Sequence, residues 1–282
     1  WHIQSYFVYL IICTSKKITF MLMIPLLVVL ALAPIAAIIW YVYAKDKHEK
    51  EPTKLLFYCF ALGIVSVIPA LLGSELGVSL GLDESPNMLI TLLFTFFVVA
   101  LSEEGAKFLF LRFYIFPKKE FNEPYDGIIY AVMIGMGFAA FENMMYVVQG
   151  GWEIGLLRMF TAVPAHAVFG GMMGYFVGLA KMMPNRADRT LQLAKGLGIA
   201  VTLHGLYDFF LFQQNFEILG FMSFVLLLAS IRYTQKAMAM HQDISPFSAQ
   251  NLALQTHNTP TDEQLLPTQA PDLTKDDEQV II

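Results

Sequence analysis

The chain has 282 residues, 56% of them hydrophobic and only 15% charged, with a mean hydropathy of +0.57. Ordinary soluble domains carry roughly 25% charged residues, so this much Leu, Ile, Val, Phe and Met must face lipid, which excludes most cytosolic enzyme classes. The formal charge of −5 is concentrated in seven acids after residue 240, where Lys275 is the one cation. The rest of the chain is close to neutral, and no basic patch points to nucleic acid.

Residues 1–20 are read as an extension outside the membrane domain, because residue 1 is Trp and Met21 opens directly onto the first apolar run. Crossing ~30 Å of hydrocarbon takes ~20 residues of helix. By that measure the pattern predicts an all-α polytopic bundle of about seven spans, near 20–44, 54–73, 88–111, 126–149, 156–180, 193–213 and 216–236. The first span lacks an A-x-A-like exit and is read as a retained helix, not a cleaved signal peptide. Pro52, Gly81, Pro117, Pro124, Gly150 with Gly151, and Pro184 punctuate the short connections.

Lys45, Lys47 and Lys50 follow span one, Arg112, Lys118 and Lys119 span three, Lys181, Arg186 and Arg189 span five, and Arg232 and Lys236 close span seven. Cytoplasmic loops collect Lys and Arg, so this alternation predicts an amino terminus outside and a carboxyl terminus in the cytoplasm. Lys16 and Lys17 are exceptions, and Arg158 is the sole basic residue in the outer loops. The membrane domain is taken as 21–238. The Gln-, Thr-, Pro- and Asp-rich stretch 239–282 cannot bury a core and is expected to be a disordered acidic cytoplasmic tail. Cys13 and Cys59 have no metal-ligand spacing and are read as passive.

An ionisable side chain at the centre of a membrane helix costs about 2.5–3.5 kcal/mol on insertion scales, so such residues are functional candidates. Here they are Glu103, Glu104 and Lys107 in span three, Glu142 in span four, His166 in span five, and His204 with Asp208 in span six. Residues three or four apart share a helix face. Glu103 and Glu104 can therefore both meet Lys107, and His204 can meet Asp208. This chemistry suits either a hydrolytic site, in which a carboxylate activates water and histidines bind a metal or steady an oxyanion, or a path for cations or protons. Spacing alone leaves both open.

Three other routes to intramembrane cutting are disfavoured. His48-Glu49 lacks the second histidine of H-E-x-x-H. Ser66, Ser102 and Ser223 have no nucleophile-elbow context, and an aspartyl dyad would need a second membrane aspartate beside Asp208. Gly170, Gly174 and Gly178 form a double G-x-x-x-G ridge, and Gly135 and Gly137 precede Glu142. All five suit close helix packing.

Glu103-Glu104-Gly105-Ala106-Lys107 matches an E-E-x-x-K motif, Phe138 to Glu142 matches F-x-x-x-E, and His204 to Asp208 matches H-x-x-x-D. With Tyr125 to Tyr130, Glu142-Asn143 and His166 to Gly170, this ordered set resembles the PrsW family of intramembrane proteases, related to the CAAX prenyl protease and bacteriocin-processing group. The resemblance covers about residues 40–235. It implies a membrane-embedded peptidase that cuts a single-pass, anti-sigma-factor-like protein in the lipid bilayer. It also implies either a bound Zn²⁺ or a glutamate and histidine that activate water unaided. Carried over by position, Glu103 or Glu104 is the general base, Glu142, His166 and His204 are metal ligands or transition-state stabilisers, Lys107 is the counter-ion, and Asp208 orients His204.

Each assignment has a plainer counterpart. Glu103 and Glu104 form a structural ion pair with Lys107, Asp208 makes a helix-to-helix hydrogen bond, and His166 bonds a neighbouring carbonyl. The rival functions are an ion- or proton-coupled transporter and an inactive protease-like scaffold. His2, His48, His241 and His257 are read as loop or terminal bystanders.

Overall fold

The computed structural model describes residues 25, 27–83, 85, 87–213 and 217–249. The expectations for residues 1–20 and for most of the acidic tail fall outside them. Among the described residues, seven helices follow one another: α1 (Leu27–Lys45), α2 (Thr53–Ser79), α3 (Met88–Ile115), α4 (Pro124–Phe160), α5 (Ala162–Met182), α6 (Arg186–Leu211) and α7 (Glu217–Asp243). Five apolar stretches of the described residues are long enough to cross a membrane by length and composition: α1, α2, α3, most of α7, and a 59-residue run, Pro124–Met182, that contains both α4 and α5. α6 is not among them, because Lys195, His204 and Asp208 dilute its apolar half.

The helix starts follow from local chemistry. Asn87 opens α3 by accepting from the Leu89 and Ile90 amides at 2.9 and 3.3 Å, and Asn185 opens α6 by accepting from Ala187 at 2.9 Å. Such caps satisfy amides that a helix leaves without partners. α4 begins with a reciprocal Glu123–Asp126 capping box and Pro124 at its first position. Within α3, Leu101–Phe110 is α-helical and is flanked by π-helical stretches at Phe94–Ala100 and Leu111–Ile115. Such widened turns are frequent at functional sites.

α4 is the central post, with every residue from Pro124 to Ala140 buried. α5 lies along it on the glycine ridge: a Cβ on Gly174 would collide with the Gly127 carbonyl oxygen, and one on Gly178 with that of Pro124. α2 crosses the other side at Gly63 and Gly137, where added Cβ atoms would strike the Ile134 and Phe60 carbonyls. Small residues let membrane helices approach this closely.

α4 is broken at Gly151, whose φ of 77° and ψ of −164° reverse the chain. Glycine adopts that conformation without the penalty other residues meet. A second break at Thr161 starts α5.

The Lys- and Arg-rich loops gather at one end of the bundle. The Lys181 ammonium donates to the Phe116 and Lys118 carbonyls at 2.6 and 3.1 Å. The Lys47 amide donates to Gln242 Oε1 at 3.1 Å, and Asn122 Nδ2 donates to Glu49 Oε2 at 2.9 Å. α7 runs to Asp243, beyond the point at 239 where the sequence suggested a polar tail. Its His241 is fully buried and stacked on Tyr175 with ring centroids 4.3 Å apart, so it is a packing residue and not a terminal bystander.

Candidate active site

Four helices bring the intramembrane ionisable groups to one place: α3 supplies Glu103, Glu104 and Lys107, α4 Glu142, α5 His166, and α6 His204 and Asp208. They join in one unbroken chain of polar contacts. Glu142 Oε2 meets His166 Nε2 at 2.7 Å, and His166 Nδ1 meets the Lys107 ammonium at 3.2 Å. Lys107 donates to Glu104 Oε1 at 2.8 Å, and the same oxygen meets His204 Nδ1 at 3.0 Å. His204 Nε2 ends the chain on Asp208 Oδ2 at 3.2 Å.

Each residue holds its place for a local reason. Glu104 and Lys107 are one helical turn apart within α3, as are His204 and Asp208 within α6, so each pair projects from one face. Lys107 also contacts Glu103 Oε2 at 3.3 Å and lies 3.8 Å from the Phe138 ring centroid. A cation over an aromatic face gains further where water is excluded. Phe169 stacks on His204 at 4.7 Å and fixes that ring, while the two histidine rings stand 5.7 Å apart, edge to face.

Exposure separates the two adjacent glutamates. Glu104 is fully buried, whereas Glu103 keeps 16% of its side chain exposed and Glu142 23%. Glu103 and Glu142 both line a cleft of about 330 Å³ between α2 and α4, walled by Ala70, Leu71, Phe138 and Phe141. The α2–α4 crossing at Gly63 and Gly137 lies below these wall residues in both helices, and the cleft opens beyond it.

Ligand atoms of Glu103, Glu142 and His166 lie within 4.8 Å of one another, as do those of Glu103, Glu104 and His204. Two carboxylates and one imidazole make a donor set suited to zinc. The first trio borders the cleft and the second reaches inward. The sequence grouping of Glu142, His166 and His204 as one ligand set is therefore divided between two clusters that share Glu103. Among the described residues, Glu104 Oε2 is buried without a hydrogen-bond partner.

Arg158 was not singled out by sequence reasoning beyond its place in an outer loop. Its Nη2 stands 3.0 Å from Glu142 Oε2, and its Nε donates to Asn143 Oδ1 at 2.8 Å. The one signal that marked it was its isolation as the sole basic residue in the outer loops between spans.

These features define a class, a polytopic helical membrane protein with a buried acid–histidine centre open to one side. Residues 51–231 match the model of the PrsW family intramembrane metalloproteases. The chain is 36% identical over 197 residues to the Protease PrsW of Oceanobacillus iheyensis, covering 70% of this chain and 85% of that one. It is 31% identical to that of Geobacillus kaustophilus (77% and 96% covered) and 30% identical to that of Bacillus subtilis (74% and 94%). The chain belongs to the PrsW family of intramembrane proteases. No solved structure matches it.

Proposed function

We propose that this chain is an endopeptidase that hydrolyses a peptide bond in, or just outside, the membrane segment of a single-pass protein, with Glu103 as the general base. The observation that carries this reading is the difference between neighbours: Glu103 lines the cleft while Glu104 is sealed behind it. A base must reach the water it activates. Glu104 instead anchors Lys107 and His204.

In this mechanism Glu103 takes a proton from a water in the cleft, and the resulting hydroxide adds to the scissile carbonyl carbon. The developing oxyanion is stabilised by the positive charge of Lys107, which acts strongly because the surroundings exclude water. Collapse breaks the C–N bond, and the proton on Glu103 passes to the leaving amine. Asp208 orients His204, and His204 holds Glu104. The metalloprotease description fits the Glu142–His166 pair best, with Glu103 beside it. A metal held there would polarise the carbonyl and lower the pKa of bound water.

The loops rich in Lys and Arg support a cytoplasmic location for the shared basic end. Glu142 lies 18 residues from the basic-end start of α4, about 27 Å at 1.5 Å per residue. His204 is equally far from the start of α6. These depths favour a cut toward the extracytoplasmic face, and the resemblance to the PrsW family suggests an anti-sigma-factor-like substrate.

The test is a comparison of membrane-protein termini in cells expressing the wild-type chain or Glu103→Gln. New termini within about ten residues of an outer membrane boundary, found only with wild type, support the reading. Identical termini in the two strains contradict it.

A further inference from the structure

Glu142 also meets a cation that lies beyond the break in its own helix, Arg158. Its Oε2 faces both His166 Nε2 at 2.7 Å and Arg158 Nη2 at 3.0 Å. On an unbroken helix Arg158 would lie 16 residues from Glu142, about 24 Å along the axis. The reversal at Gly151 brings the two side chains together. Two further contacts then hold the guanidinium, and a third holds its partner Asn143. Its Nε donates to Asn143 Oδ1, its plane lies 4.0 Å from the Tyr146 ring centroid, and Asn143 Nδ2 donates to the Ala31 carbonyl of α1 at 3.0 Å. Tyr146 and Glu142 both line the cleft, and Arg158 contacts both of them.

We infer that Arg158 is a positioning residue for proteolysis: folded back by Gly151 and braced by Asn143, it holds Glu142 against His166 and fixes the cleft wall on which the scissile bond is presented. The planar fork of arginine suits this task, because it contacts a carboxylate and an amide oxygen at once and a lysine ammonium cannot reproduce that geometry. A neutral residue at 158 would remove the cation beside Glu142 and leave the buried Asn143 oxygen without its donor. Misplacement by about 1 Å at a reacting centre costs on the order of 100-fold in rate.

This inference rests on the peptidase reading. The experiment measures cleavage, by full-length chain in liposomes, of a fluorogenic single-pass peptide carrying the site mapped for wild type. Arg158→Ala is expected to lower kcat roughly 10–100-fold with KM changed less than threefold. Added guanidinium is expected to restore part of the rate, and the loss of rate to exceed what any fall in the thermal midpoint accounts for. Arg158→Lys is expected to fall between the two and serves should Arg158→Ala fail to insert. Gly151→Val, which forbids the reversal, is expected to match Arg158→Ala in kcat. Unchanged kcat in Arg158→Ala, or a loss that tracks lowered thermal stability without guanidinium rescue, overturns the assignment. Absence of cleavage by wild type overturns the peptidase reading and this inference with it.

Discussion

His204 Nδ1 meets Glu104 Oε1 at 3.0 Å although the two residues are 100 positions apart. This contact ties α6 to α3 at the centre of the bundle and leaves Glu104 with no path to the cleft. Replacing either partner strands a buried charge, a loss of about 3–5 kcal/mol in buried pairs. Glu104→Ala and His204→Ala are therefore expected to lower the thermal midpoint in detergent clearly. Glu103→Gln, at the cleft and 3.3 Å from Lys107, is expected to change it little. Equal midpoints for Glu104→Ala and Glu103→Gln would contradict the division of roles.

The α2–α4 crossing sets the width of the cleft. Gly63→Val places a side chain on the Ile134 carbonyl oxygen, so the helices must part. Overpacking of this kind costs about 1–3 kcal/mol, and cleavage should fall as Glu103 and Glu142 separate. Gly105→Ala is the control, since nothing lies within 4 Å of its added Cβ, and helix propensity favours it by up to about 1 kcal/mol. Thermal melts and cleavage rates of the two variants decide the point.

Two donor trios share Glu103, and His166 belongs only to the one on the cleft. Metal analysis of the purified chain is expected to show a transition metal that is lost in His166→Ala and in Glu142→Gln but retained in His204→Ala. Retention in His166→Ala with loss in His204→Ala would move the metal to the inner trio.

The basic end carries buried carboxyls outside the membrane segments. Burial raises Asp46 above the ordinary carboxylate range, raises Glu51 further with Asp126 beside it, and pushes Glu123 up to about 7 despite its bond from the Ser245 hydroxyl. A carboxyl whose folded-state pKa is raised holds its proton more tightly when folded. Its stabilisation is complete below the ordinary value of 4.5 and is lost as pH rises through the folded value. The thermal midpoint is therefore expected to fall between about pH 5 and about pH 8, with a shallower slope in Glu123→Gln. A rising midpoint over that range would contradict the burial described.

Much of this arrangement was legible in the residues alone. Hydropathy located the helices because lipid tolerates only satisfied backbone, and every intramembrane charge it exposed now stands in the polar chain from Glu142 to Asp208. Helical spacing paired Glu104 with Lys107 and His204 with Asp208, since both pairs are local. It was silent on which glutamate faces outward, because Glu103 and Glu104 differ by one residue and only the packing of α2 against α4 decides. Arg158 escaped for a related reason: its partnership with Glu142 depends on one positive φ at Gly151, and Gly150-Gly151 reads equally well as an ordinary turn. His241 was misjudged as terminal because α7 outlasts its apolar stretch.

The most direct test of the account is the cleavage of a single-pass substrate by purified chain in liposomes, comparing wild type with Glu103→Gln at matched insertion and thermal stability. The account predicts two product fragments from wild type and a rate lowered at least about 100-fold in Glu103→Gln. Undiminished cleavage by Glu103→Gln would contradict it.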